Sequence, residues 1–196
     1  MNPLPPRLVW LHLRSRRAPL GLALITAIAV ILRALQRWTV GPGVAARTLP
    51  LVLTVGAAAI IAASSQSPFA DPERATWPPP RLRLIQVAAF VLAAAGLLGL
   101  ARLGQDPLAA IRNLAGFTGL ALITATVTSA LLAWITPLAY ALYCGGQIDA
   151  QAVNLWSWPA LPSSNHVATL IALLLLGAGV TAITRFGSRD SQPTPT

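Results

Sequence analysis

The sequence predicts an all-α, polytopic transmembrane bundle of about six spans, with both termini in the cytoplasm. Two observations carry this. The 196 residues are 55% hydrophobic and only 10% charged, with a mean hydropathy of +0.66, whereas a soluble domain carries about 25% charged residues. The apolar residues also gather into runs near the ~20 residues that cross a hydrocarbon core of about 30 Å. Such a chain cannot cover its surface with polar groups in water. An ordinary soluble enzyme, a disordered tail and a disulfide scaffold are therefore excluded.

The chain opens with a basic segment, residues 1–18, MNPLPPRLVWLHLRSRRA. Pro3, Pro5 and Pro6 prevent an early helix. Residues 7–17 suit a short helix on the headgroups, with Leu8, Trp10, Leu11 and Leu13 toward lipid. The transmembrane domain then covers 19–184. Spans are expected at about 19–36, 48–64, 84–103 and 166–184. Residues 113–144 form one apolar stretch of 32 residues, which as a single helix would reach about 48 Å. Pro137 and the polar cluster Thr124, Thr126, Thr128 and Ser129 favour two short helices, 112–129 and 131–144, joined tightly. The polar, proline-containing tail 187–196 reads as disordered.

Charge sets the orientation. All 14 basic residues are arginine, and the formal net charge is +9. That balance suggests nucleic acid, but the arginines lie between apolar runs, so they are assigned to span flanks facing anionic lipid. With six spans and the N-terminus inside, the cytoplasmic segments hold nine arginines and the outer ones four, including Arg102 and Arg112. Five spans separate the charge less well.

Candidate chemistry is sparse. Without lysine there is neither a P-loop ending in Gly-Lys-Ser/Thr nor a Schiff-base lysine. Cys144 stands alone, and His12 and His166 lie 154 positions apart. No catalytic, cofactor-binding or metal-ligating group is expected. Asp149 reads as a solvated loop carboxylate, Cys144 as a packing residue, and Ser164 or Asn165 as the cap of the last span. No Asp or Glu falls within an expected span, so no intramembrane proton relay is visible.

The loop SSQSPFADPERATWPPPRLR at 64–83 is the most charged internal segment. Asp71 suits an N-cap, Pro72 the first helical position and Glu73 the positive helix end. A short helix over 72–77 could press into a partner. The loop at 145–164 carries Trp156 and Trp158, which with Trp134 are candidates for interface anchors or for the lining of a substrate path. Small residues recur at helical spacing as Ala23, Ala27 and Ala34, and as Ala121, Ala125, Ser129 and Ala133, compatible with close packing in lipid.

The segments RLVWLHLRSRR (7–17), FADPERATWPPPRLR (69–83), RNLAGFTGLAL (112–122) and LWSWPALP (155–162), in a six-span frame, resemble the small permease subunits of ABC-2-type transporters. The resemblance implies a membrane-spanning permease of an ATP-driven exporter. It implies a second permease subunit in a homo- or heterodimer and a cytoplasmic ABC ATPase. It would place Asp71, Glu73 and Arg74 at the ATPase contact. It also implies a plasma-membrane location. Fourth and fifth spans as short as 112–129 and 131–144 are undersized for that family. The alternative is a membrane scaffold anchoring another complex. An intramembrane enzyme relying on His166 or Asp149 is the weaker alternative.

Overall fold

The computed structural model describes residues 18–38, 44–64 and 80–186. These form six α-helices and two short 3-10 turns, with no strand among the described residues. The helices are α1 (Ala18–Trp38), α2 (Val44–Ser64), α3 (Pro80–Ala101), α4 (Pro107–Val127), α5 (Ile135–Asp149) and α6 (His166–Phe186). The 3-10 turns, Ala130–Leu132 and Leu155–Ala160, precede and follow α5. Four stretches are long and apolar enough to cross a membrane: Leu84–Ala101, Pro107–Val127, Ala130–Ile148 and His166–Phe186. The apolar parts of α1 and α2, Pro19–Leu35 and Thr48–Ser64, are shorter. The basic leader, the 69–83 segment through Pro79 and the polar tail lie outside the described residues, and so do Asp71, Glu73 and Arg74.

Local chemistry sets the helix ends. Pro19, Pro80, Pro107 and Pro137 all fall in the first turn of their helices, where a missing amide hydrogen costs nothing. Asp106 caps α4 by accepting from the Ala109 amide at 3.0 Å, and Asn165 caps α6 by accepting from Ala168 at 3.0 Å. The expected cap of the last span is thus Asn165. Because Asp106 and Pro107 start α4, that helix spans 21 residues, not the shorter span expected from Arg112 onward. It ends at Thr128, whose hydroxyl bonds back to the Thr124 carbonyl at 2.8 Å. Such back-bonding competes with helix continuation. Ser129 then caps the 3-10 turn by accepting from Leu132. The long apolar stretch is therefore two helices, broken at 128–134. Asp149 closes α5 instead of lying in the loop.

Helix α4 is the central element: 72% of its apolar window is buried, against 22% for α6. Every residue from Arg112 to Gly119 is enclosed, as expected of a helix with neighbours on all sides. It packs most closely against α6, and also against α2, α3 and α5; α1 packs on α2 and α3. Leu98, Leu114, Leu122 and Ile183 anchor the main core at 0% exposure. A second cluster joins Leu51, Val55, Phe117, Ala141 and Cys144 across α2, α4 and α5. Cys144 is a packing residue, free and buried.

Glycine sets the α4–α6 distance. A Cβ at Gly119 would overlap the Leu175 backbone, and one at Gly179 would lie 2.5 Å from the Gly119 carbonyl oxygen. In hydrocarbon the driving force between helices is close packing, which small residues permit. The ladder Ala121, Ala125 and Ala133 is likewise buried. Ala23, Ala27 and Ala34 are not at a helix contact: the inward face of α1 is Gly21, Ile25, Ala29 and Leu32, one step around the helix.

Gly119→Ala is expected to lower stability by about 1–3 kcal/mol, the usual cost of overpacking. Gly177→Ala, where no atom lies within 4 Å of a new Cβ, is expected to stay within about 0.5 kcal/mol. Thermal unfolding of the detergent-solubilised variants distinguishes the two.

Candidate functional site

The helix order brings the ends of α1, α3 and α5 and the starts of α2, α4 and α6 to one end of the bundle. Arg33, Arg102, Arg112 and Asp106 are among the charged residues whose side chains are described at that end. Arg33, exposed on α1, donates to the Leu103 carbonyl at 2.9 Å and ties α1 to the α3–α4 connection. Arg112, only 5% exposed, lies in the second turn of α4. Its guanidinium donates to the carbonyls of Leu161 at 2.6 Å and Pro162 at 2.9 Å, with a longer contact to Pro159 at 3.5 Å. Its Nε donates to the Asn113 side-chain oxygen at 3.3 Å, and Asn113 donates to the Pro159 carbonyl at 2.8 Å. The planar five-donor fork of arginine suits this cluster of acceptors.

Asp106 completes the tie. One carboxylate oxygen caps α4, and the other accepts from the Ser163 amide at 3.1 Å. Burial pushes its carboxyl up. The amides of Ala109 and Ser163, the Ser163 hydroxyl and the charge of Arg112 outweigh that and hold it below its ordinary value of 3.8.

The segment being held, 154–163, is itself ordered by a capping box. Asn154 accepts from the Trp156 and Ser157 amides, and the Ser157 hydroxyl oxygen accepts from the Asn154 amide. Trp158 is 3% exposed. Its ring fills the notch left by Gly116, where a Cβ would overlap it. It lies 5.8 Å from the Phe117 ring and 6.2 Å from Tyr140, centroid to centroid. The Tyr140 hydroxyl donates to the Trp156 carbonyl.

The three tryptophans singled out from the sequence thus have different surroundings. Trp156 is 78% exposed and Trp134 is 47% exposed, both free to meet an interface, whereas Trp158 is enclosed. Arg112, expected as a flanking charge at the outer start of the fourth span, is a buried residue in the second turn of α4. Neither Arg112, Asn113 nor Asp106 was singled out from the sequence. The available signal was Asp-Pro at 106–107, a cap followed by a first-turn proline, which moves the helix start upstream of the arginine.

Between these ties lies an open cleft of about 390 Å³. Leu32, Leu51, Ile148, Val153 and Leu161 form its apolar wall, and Thr54, Arg102, Gln105, Asp106 and Asn113 its polar side. The Thr54 hydroxyl is already committed to the Pro50 carbonyl at 2.8 Å. Arg102 differs from the other two arginines, because its Nε is buried without a hydrogen-bond partner. Burial pulls its guanidinium below its ordinary value, and the charge of Asp106 opposes that; arginine stays protonated regardless. The described residues hold no cluster of His, Cys, Asp or Glu able to bind a metal.

No family model, curated protein or solved structure matches the chain.

Two expectations follow. Arg112→Gln leaves the half-buried Leu161 carbonyl without its donor, while Pro159 keeps Asn113 and Pro162 keeps the Asn165 amide, and is expected to cost about 1–3 kcal/mol, with hydrogen-exchange protection lost first across 155–165. Because the folded Asp106 carboxyl sits below its ordinary value, its contribution is complete above that value and disappears as pH falls through the lower, folded value. Protection of the Ser163 amide is therefore expected to persist at neutral pH and to fall in acid below pH 3.8. Asp106→Asn removes this acid dependence; a profile unchanged by that substitution would contradict the assignment.

Proposed function

We propose that the chain is the membrane-spanning permease subunit of an ATP-driven exporter, energised by a separate cytoplasmic ATPase. In this reading it forms half of a translocation path with a second permease subunit in the plasma membrane. All six helices cross in it, and both termini are cytoplasmic. The supporting observation is the placement of the cleft. The open, mixed-polarity cleft lies at the end of the bundle where α4 and α6 begin. The ends of α2 and α3 that flank residues 65–79 lie at the other end, held together by Gln86 donating to the Ser64 carbonyl at 2.9 Å. A permease needs that separation, with driving motion received at one face and substrate handled at the other.

The most charged internal segment, with Asp71, Glu73 and Arg74, falls between those two helix ends. In this reading it docks on the ATPase. The lack of lysine across the whole sequence means that a P-loop must come from the partner. Trp134 and Trp156 serve as interface anchors. Trp158, being enclosed, holds the 155–162 segment in place beside the path.

Affinity purification of the chain from membranes is expected to recover a P-loop ATPase. Glu73→Gln and Arg74→Gln are expected to weaken that recovery about twofold to fivefold each, the worth of a rim charge, and to reduce stimulated ATP hydrolysis in parallel. Recovery of a different complex, with hydrolysis untouched by either substitution, would favour a membrane scaffold instead.

A further inference from the structure

Among the described residues, Arg102 is the cation that lines the cleft, and its Nε has no hydrogen-bond partner. Arg33 and Arg112 both donate to backbone carbonyls, and both Asp106 oxygens accept from backbone amides. Arg102 lines the cleft with its Nε buried and unpartnered. A buried donor of a charged group left without an acceptor is costly unless something completes it. The residue sits directly after Ala101, the last residue of α3, and so at the level where an apolar helix gives way to the interface. Leu32, Leu51, Ile148 and Val153 face the same space. Its volume of about 390 Å³ falls within the ~300–1,000 Å³ range typical of ligand sites.

We propose that this cleft binds an anionic lipid, with a headgroup oxyanion on the Arg102 guanidinium and the upper acyl chain along the Leu32, Leu51 and Ile148 wall. Charge complementarity selects an anion over a zwitterion: the Asp106 carboxylate is near enough to oppose the burial of Arg102 electrostatically, but its two oxygens bond the Ala109 and Ser163 amides and not the Arg102 guanidinium, whose Nε has no acceptor. The apolar wall selects an amphiphile over a free inorganic anion. Gln105, exposed at the lip, supplies a neutral amide beside the headgroup. The inference names the ligand class of the cleft on which the transport reading rests. Binding to the isolated chain requires neither nucleotide nor partner, so it can fail or succeed independently of that reading.

Lipid retention by the detergent-purified full chain, followed by native mass spectrometry, tests this. Phosphatidylglycerol is expected to be retained over phosphatidylcholine of the same acyl composition. Arg102→Gln is expected to weaken phosphatidylglycerol binding about tenfold, as for loss of one charge-assisted contact, with Arg102→Lys intermediate. Gln105→Glu changes no volume at an exposed position, so folding is not at issue; its added negative charge is expected to weaken binding by a similar factor. Arg185→Gln, in the last turn of α6 and at the other end of the bundle, is expected to leave binding unchanged. Equal retention of the two lipids would overturn the proposal. So would undiminished binding in both Arg102→Gln and Gln105→Glu, or displacement of the lipid by millimolar inorganic phosphate alone.

Discussion

Arg112 joins two parts of the chain about fifty residues apart. The connection between α5 and α6 presents the carbonyls of Pro159, Leu161 and Pro162 inward, and inside an apolar bundle such groups need donors. One guanidinium and the neighbouring Asn113 amide supply them, with the Asn165 amide also serving Pro162. Proline at 159 and 162 removes two amide hydrogens from the same segment, so its 3-10 turn and the Leu161 and Asn165 amides satisfy only some of its carbonyls. The geometry of this end of the bundle, including the cleft, follows from that need.

The tie operates only because α4 and α6 lie close together. Gly119 and Gly179 remove the side chains that would hold the two backbones apart. Gly116, one turn toward the N-terminus of α4, makes room for Trp158. Three small residues along two helices therefore set the crossing and the seat of the 155–160 turn. Dispersion between well-fitted surfaces supplies the energy here, since lipid offers no hydrophobic penalty to separated helices. The Asp106 cap adds a polar link at the same end by receiving the Ser163 amide.

This arrangement also accounts for an oddity in the arginine distribution. In the six-span reading, Arg102 and Arg112 are two of the four arginines that fall on the outer side. Arg112 is an internal hydrogen-bond donor, and Arg102 lines a cleft. Charges used inside the fold do not report on flanking loops, so the rule that reads topology from charge does not apply to them. The separation of that cleft from the charged α2–α3 connection is the feature that the transport reading uses, and the unpartnered Arg102 Nε is the feature that the lipid reading uses.

Much of the architecture was legible from the residues alone. Apolar runs near membrane thickness marked the helices, and their boundaries agree within a few residues for α1, α2, α3 and α6. Asn165 as a cap and Cys144 as core followed from local chemistry, as did the break near Ser129. Hydrophobicity and capping are properties of short stretches, so they can be read without knowing the neighbours. The site was not legible in the same way. An arginine at the start of an apolar run looks like a flanking charge, and nothing within ten residues of Arg112 indicates that its acceptors lie at 159–162. The outward orientation of Ala23, Ala27 and Ala34 was equally hidden, because alanine abundance gives every face of α1 small residues. Which face turns inward depends on Phe90 meeting Gly21, a contact between helices far apart in the chain. The sequence determined the helices and their polarity; the tertiary structure decided which glycines touch, which arginine is enclosed and where the cleft opens, because those depend on pairings between distant segments.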